Sequence, residues 1–195
     1  TPLLRLDRGP TRLLWLDLSA GRLRLGASAL AQVYGQLGND APDVDDPARL
    51  AKFLATVREL ALDRTLLAYH DLGDGGLFAT LAEMSLAARC GLDVTLPEGA
   101  TALATLFAEE LGAVVQVGAV DAARVATAFA ATGAAVHDLG APEAGERVCI
   151  RQGGAIVLDE SRVELHRAWS ATTHALQRLR DHPDCAREEY ARASD

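Results

Sequence analysis

The segment from His70 to Leu77 combines titratable side chains with glycines at a spacing that suits phosphate or Mg-phosphate binding. It reads His-Asp-Leu-Gly-Asp-Gly-Gly-Leu, so three glycines fall within four positions, one residue after a titratable pair. Glycine lets the backbone approach a ligand closely, and the first amides of a following helix can donate to phosphate oxygens. This segment is therefore the strongest candidate for a binding site in the chain.

The three titratable residues of this segment differ in the contacts that they could make with a ligand. Asp71 could offer a hard carboxylate oxygen to Mg²⁺, which takes one or two protein carboxylates together with phosphate oxygens and water. His70 alternates away from Asp71 along a strand, so the two side chains do not readily address one ligand. Asp74 could contact a ligand or act as a helix N-cap. The spacing matches neither the Walker A pattern nor GxGxxG, so on residue types alone a structural turn stays open.

A strand and a helix must position this glycine turn. The apolar run 65–69 before it predicts a strand. Behind it, Leu77, Leu81, Met84 and Ala88 recur at helical spacing and predict a helix that ends near Gly91.

The same alternation of strand and helix is predicted along the rest of the chain. Strands are predicted at 12–18, 92–96, 113–119, 135–139, 147–151 and 155–158, with a hairpin at Gly153–Gly154. Helices are predicted at 30–37, 47–60, 102–110, 122–131 and 161–181. The order predicts mixed α and β layers.

Three of these helices carry more detailed predictions. Asp46 is expected to cap the second helix, with Pro47 at its first position. In the helix 30–37, one face carries Leu30, Val33, Tyr34 and Leu37, and in the helix 102–110 the residues expected to face inward are Leu103, Leu106 and Phe107.

Composition argues against several classes of partner. The 195 residues carry a net charge of -8 and a single lysine, Lys52, so no basic face for nucleic acid is expected. No apolar run approaches the roughly 18 residues of a membrane span. The odd number of cysteines, Cys90, Cys149 and Cys185, indicates no disulfide framework and favours a reduced, cytoplasmic setting.

Taken with Thr80–Met84 behind it, the segment His70–Leu77 resembles the second glycine motif of large phosphoribosylformylglycinamidine synthase, the amidotransferase of purine biosynthesis. Further segments resemble that family in the same order: Leu25–Tyr34, Leu106–Val117, Trp169–Thr173 and Leu179–Ala186. The resemblance covers almost the whole chain.

The resemblance implies a fold and a reaction. The fold is α+β with three α/β/α layers, like the carboxyl-terminal domain of aminoimidazole ribonucleotide (AIR) synthetase and partly ferredoxin-like in topology. It implies such a domain over residues 1–160 and, over 161–195, a helical extension leading towards an absent glutaminase domain. The reaction is the ATP- and glutamine-dependent conversion of formylglycinamide ribonucleotide to the amidine.

It also implies site residues and cofactors. Asp71 would be a Mg²⁺ ligand at a bound ATP or ADP, and Gly73 would contact the nucleotide. Many relatives have Ser where this chain has Gly73, so only the backbone N–H remains for that contact. The resemblance favours a retained, structural nucleotide at this second repeat over the consumed ATP, although both stay open, and no catalytic residue is expected here.

The chain is expected to be a piece of a longer enzyme and inactive alone. No glutaminase nucleophile is indicated, since Cys90 closes a helix and Cys149 lies within a strand. Expected partners are a small-molecule nucleotide and the remaining domains, namely the N-terminal domain, the other AIR synthetase-like halves and the glutaminase. Two alternatives stay open: a self-contained ATP-binding AIR synthetase-like enzyme, and a non-catalytic interaction domain, favoured by the acidic linker 39–46 and the charged tail.

Other candidate residues have simpler interpretations. Glu109–Glu110 could form a paired acid, but we interpret it as a solvated helix face. His137 alternates with apolar residues and is expected to be packed or at an edge. His166, Trp169 and His174 lie on the last predicted helix, and of these Trp169 is expected to pack against a neighbouring domain.

Overall fold

The computed structural model describes residues 1–194, and of residue 194 the backbone alone. Seven strands are β1 (Thr11–Asp17), β2 (Leu66–Asp71), β3 (Gly91–Thr95), β4 (Gly112–Gly118), β5 (Ala135–Glu143), β6 (Arg147–Gln152) and β7 (Ala155–Ser161). They form one sheet in the order β2-β4-β1-β5-β3-β6-β7. Neighbouring strands are antiparallel, except that β3 and β6 are parallel.

The helices are α1 (Ala29–Val33), α2 (Pro47–Leu62), α3 (Gly76–Ala88), α4 (Ala102–Phe107), α5 (Ala122–Ala130), α6 (Arg162–Arg180) and α7 (Pro183–Ala191). A short 3-10 turn, Arg192–Ser194, follows α7. Among the described residues, no helix is long and apolar enough to cross a bilayer.

Two hydrophobic clusters lie on opposite faces of the sheet. Along β1, Leu13 and Trp15 belong to one cluster, and Leu14 and Leu16 belong to the other, as the twofold alternation of a strand requires. The first cluster includes α3 and α4 through Leu77, Leu81, Met84 and Leu106. The second includes α2 and α5 through Phe53, Leu60, Val125 and Phe129. The predicted α+β fold with three α/β/α layers is confirmed.

The start of α2 confirms the prediction made for it. The backbone N–H of Arg49 donates to Asp46 Oδ1 at 2.9 Å, and Pro47 is the first helical residue. The Asp46 side chain therefore satisfies an amide that has no partner within the helix.

The structure differs from the prediction at two shorter helices. Helix α1 has only five residues, and Val33 and Tyr34 near its end are 82% and 71% exposed. Helix α4 ends at Phe107 rather than at 110, and Leu103 on it is 51% exposed, so the expectation that Leu103 faces inward is wrong. Apolar spacing defines a helix face, but it does not show which residues of that face are covered: Leu106 is buried, whereas Val33, Tyr34 and Leu103 are exposed.

The glycine turn between β2 and α3 is shaped by close packing. Gly75 and Gly76 have φ values of 84° and 62°, a left-handed conformation that strains other residues. A Cβ on Gly76 would lie 2.7 Å from the carbonyl oxygen of Ala108 and 2.8 Å from that of Leu106. A Cβ on Gly73 would meet nothing within 4 Å. Glycine is therefore needed for the fold at 76 but not at 73.

We expect Gly76→Ala to lower the free energy of unfolding by about 1–3 kcal/mol, because the backbone strain and the steric overlap both act in the folded state. Gly73→Ala is the matched control and should change it by about 0.5 kcal/mol or less. Both substitutions restrict the unfolded chain equally, so their difference isolates the folded state. Urea unfolding followed by circular dichroism measures this, and equal effects would contradict the packing described.

Candidate functional site

Asp71 and Gly73 lie on the surface at the end of β2. Asp71 is the last residue of the strand, and its side chain is 73% exposed. Its backbone is held firmly: the Thr80 hydroxyl donates to the Asp71 carbonyl at 3.2 Å, and the next amide, Leu72 N–H, donates to the Gly112 carbonyl at 3.0 Å. The site thus presents an exposed carboxylate from a fixed backbone, next to an exposed glycine.

His70 is engaged elsewhere. Its Nε2 lies 2.6 Å from Glu83 Oε2 on α3, whereas its Nδ1 is 3.6 Å from Asp71 Oδ1, beyond hydrogen-bond length. As the alternation along the strand predicts, His70 turns to α3. The Asp71 carboxylate is left facing solvent.

Asp74 does not cap α3. The N-cap residue is Gly75, in the left-handed conformation, and no side chain caps this helix start from that position. The Gly75 amide donates instead to Glu109, which comes from a different part of the chain. The N-cap interpretation of Asp74 is therefore wrong, because the left-handed turn gives the cap position to Gly75.

Glu109 joins two loops through one oxygen atom. Its Oε1 accepts hydrogen bonds from the backbone N–H of Gly75 at 2.7 Å and from that of Ala29 at 2.8 Å. Gly75 precedes the first residue of α3, and Ala29 is the first residue of α1. The amides at a helix start carry partial positive charge, so a carboxylate is a well-matched acceptor.

Glu110 makes a buried ion pair with Arg24. Its two oxygens accept from Arg24 Nε and Nη2, both at 2.7 Å, and the Arg24 backbone N–H adds a third hydrogen bond at 3.0 Å. Both side chains are less than 10% exposed. The hydrogen bonds that Arg24 donates to the Glu110 carboxylate raise the pKa of Arg24, although burial acts in the opposite direction.

Glu109–Glu110 is therefore not a solvated helix face, and that interpretation is wrong for both residues. Because α4 ends at Phe107, the pair lies beyond the helix, and its carboxylates turn inward to an arginine and to two backbone amides. Charge at a helix end gave no sign of this. Arg24 lies 86 positions from Glu110, and Ala29 and Gly75 lie 80 and 34 positions from Glu109. Spacing along the sequence does not show that such distant residues meet.

The remaining candidates do not join this site. His137 packs against Trp15 with ring centroids 4.9 Å apart, so its expected packing role is confirmed. Trp169 on α6 is 63% exposed, and its contact with another domain stays a prediction. Burial raises the pKa of the Cys90 thiol to about 11.

The residues at the turn fit a magnesium nucleotide from one side. Among the described residues, no group of three or more His, Cys, Asp or Glu side chains is placed to hold a metal ion. Mg²⁺ does not need such a cage, since one carboxylate with phosphate oxygens and water suffices. Asp71 can supply that carboxylate, and Gly73 two residues later is exposed, with open space where a side chain would stand.

Solved structures show where this fold is found. PurL from T. maritima in complex with ATP matches with a TM-score of 0.65 and 14% identity, over 84% of this chain and 27% of the PurL chain. Phosphoribosylformylglycinamidine synthase II from Thermotoga maritima matches at 0.65 and 12%, over the same two shares. E. coli HypE, a hydrogenase maturation protein, matches at 0.52 and 20%, over 77% of this chain and 48% of HypE. This chain thus spans only about a quarter of the PurL chains it resembles.

The sequence also matches a family model over residues 13–151, well over half of the chain. That span runs from β1 to β6 and includes the glycine turn and the Glu109–Glu110 pair. The chain belongs to the AIR synthase related protein family, as the C-terminal domain of that family.

Proposed function

We propose that this chain supplies the carboxyl-terminal part of the synthetase region of a phosphoribosylformylglycinamidine synthase. The whole enzyme would use ATP and glutamine to convert formylglycinamide ribonucleotide to the amidine in purine biosynthesis. The observation that carries the proposal is the exposed Asp71 carboxylate on a fixed backbone beside the open Gly73, in a chain of this family. The likeness to PurL structures with bound ATP and ADP supports a nucleotide as the ligand.

The roles of the residues follow from their chemistry. Asp71 would hold Mg²⁺, and the Gly73 N–H would donate to a phosphate oxygen. A bound Mg²⁺ neutralises phosphate charge, on which phosphoryl transfer depends more than on a protein nucleophile. Such a site would serve either a consumed ATP or a retained, structural nucleotide.

We further propose that the site is one wall of a larger one. Asp71, Gly73 and Asp74 are all exposed, so the residues that the structure describes do not enclose a ligand there. Other domains of the same enzyme, including the glutaminase, would complete it, and the isolated chain would be inactive. In support, an apolar hollow of about 420 Å³ lies open beside α1, lined in part by Leu25, Leu30, Tyr34, Leu37 and Leu103. A face of this kind is typical of a contact with another domain.

The division of the chain belongs to the same proposal. Residues 1–160 would form the AIR synthetase-like domain, and 161–195 would form the extension towards the glutaminase. The sheet ends at Ser161 and α6 begins at Arg162, which supports this boundary. The enzyme would work in the cytoplasm.

A second candidate is a synthetase-like enzyme that acts outside purine biosynthesis, favoured by the likeness to HypE at 20% identity. Both candidates need the nucleotide, so substrate distinguishes them. The test uses the complete polypeptide, that is, the longer enzyme of which this chain would be a part. Turnover of formylglycinamide ribonucleotide supports the first candidate, and nucleotide binding without that turnover supports the second.

We expect Asp71→Asn to weaken Mg-ADP binding by the complete polypeptide by about tenfold or more, because it removes the negative charge that Mg²⁺ prefers without changing the size of the side chain. Glu98→Gln, the same loss of charge at an exposed position outside the turn, is the control and should leave affinity within about twofold. Isothermal calorimetry measures both. Equal losses in the two variants would contradict the assignment of Asp71.

Gly73→Ser tests the neighbouring contact. The side chain fits without displacement, and a hydroxyl facing a phosphate would add one hydrogen bond, worth about 0.5–1.5 kcal/mol or roughly twofold to twelvefold in affinity. Gly73→Ala, which fills the same space without a hydroxyl, is the control. If both variants bind Mg-ADP like the wild type, position 73 does not face the nucleotide.

The cysteines should not behave as glutaminase nucleophiles. Burial raises the pKa of Cys90 to about 11, and Cys149 is buried as well, whereas Cys185 is exposed. Iodoacetamide at pH 8 should therefore modify Cys185 in the native protein and leave the other two intact until the protein unfolds. Mass spectrometry of the labelled peptides measures this. Rapid labelling of Cys90 in the native protein would contradict the expectation.

A further inference from the structure

We propose that Glu109 is a positioning residue for nucleotide binding: its carboxylate holds the start of α3 against the start of α1 and so fixes the turn that carries Asp71 and Gly73. The inference rests on the proposed function of that turn. Glu109 itself is not assigned a contact with the ligand.

The first step is the geometry of the shared oxygen. Glu109 Oε1 lies 2.7 Å from the Gly75 nitrogen and 2.8 Å from the Ala29 nitrogen. An ionised acceptor makes shorter and stronger hydrogen bonds to amides than a neutral one. One atom therefore connects two loops that are more than 40 positions apart in the sequence.

The second step is the rigidity of Glu109 itself. On one side, the carbonyl oxygens of Leu106 and Ala108 pack against Gly76 so closely that a Cβ there would overlap with them. On the other side, the buried pair of Glu110 with Arg24 fixes the next residue. The backbone of Glu109 is thus held from both sides, which brings its carboxylate to the two amides in a single arrangement.

The third step is what the contact does for the turn. Residues 72–75 also take part in backbone hydrogen bonds from Leu72 N–H to the Gly112 carbonyl at 3.0 Å, from Gly76 N–H to the Gly73 carbonyl at 2.9 Å and from Ala79 N–H to the Gly75 carbonyl at 3.3 Å. Only the second of these bonds reaches Gly73, and it lies within the turn. Leu72 anchors the first residue of the turn by packing against the core, and Glu109 anchors its last residue through the hydrogen bond from the Gly75 N–H. Glu109 therefore helps to set where the Gly73 N–H lies relative to Asp71.

An opposite interpretation gives an opposite result. A carboxylate at two helix starts resembles a bound anion, so it could occupy the place that a phosphate takes. Displacement would, however, break both hydrogen bonds at once and release α1 from α3, which favours a positioning role. The sign of the change in affinity separates the two.

The experiment measures Mg-ADP affinity by calorimetry in the complete polypeptide, well below its unfolding temperature. Glu109→Ala should weaken binding by about tenfold, since a small displacement of a binding group is costly. Glu109→Gln should stay within about threefold of wild type, because its amide oxygen can accept the same two N–H groups. Glu98→Ala removes the same charge from an exposed loop and is the control.

Amide hydrogen exchange provides the readout in the molecule itself. Gly75 and Ala29 should exchange faster in Glu109→Ala and remain protected in Glu109→Gln. If the alanine variant does not fold, Glu109→Asp replaces it, because a side chain shorter by one methylene cannot reach both amides and should lose affinity in part.

Each outcome decides the question. Suppose first that the wild type binds Mg-ADP and that Asp71→Asn weakens this binding. If Glu109→Ala then binds more tightly than the wild type or equally well, the positioning role is overturned and the proposed function stands. A wild type that does not bind, or that binds regardless of Asp71→Asn, overturns the proposed function and this inference with it. Weaker binding by the alanine variant with recovery by glutamine supports both.

Discussion

The approach of Gly76 to the carbonyl oxygens of Leu106 and Ala108 is the constraint on which the candidate site depends. It places the first residue of α3 directly on the end of α4, at distances that leave no room for a side chain. Helix α4 must end there, and the chain continues in extended conformation through Ala108. The turn between β2 and α3 and the segment after α4 are therefore one packed unit. A change in either would be felt by the other, since packed backbone has little freedom to relax.

The adjacent carboxylates of Glu109 and Glu110 come directly after this packed segment, and they bind different partners. Burying a charge is costly unless it is paired with good geometry, and Glu110 meets this condition through its two-oxygen contact with Arg24. Arg24 also reaches Asp45, at 2.8 Å, so it binds the loop before α2 to the same centre. Glu109 uses backbone amides instead of a basic side chain. Acidic residues outnumber Lys and Arg by 27 to 19 in this chain, and for Glu109 the amides at two helix starts supply the positive partners.

Local patterns were sufficient for the layers and for much of the turn. Alternation in β1 and the capping pattern at Asp46 depend on near neighbours, so they were predictable. Glu109 was not, because its partners come from distant loops and a charged pair after a helix usually faces water. Gln116 was missed for the same reason: it is fully buried in β4, and its amide satisfies both backbone groups of Arg5 at 2.8 Å. The exposure of Tyr34 also required the structure, since spacing does not say whether anything covers a face.

Because Asp71 is exposed, the proposed site adds no desolvation cost to the fold before a ligand binds. A preformed, enclosed metal site would bury an unpaired carboxylate, and that desolvation would destabilise the empty protein. Here the backbone is fixed by Thr80 and Gly112 while the carboxylate remains hydrated, so the cost of desolvation arises only when a ligand arrives. The rigid parts of the turn are thus those that set its geometry, and the charged part is left in water. A wall of this kind can be stable by itself and still depend on another domain to exclude water from the site.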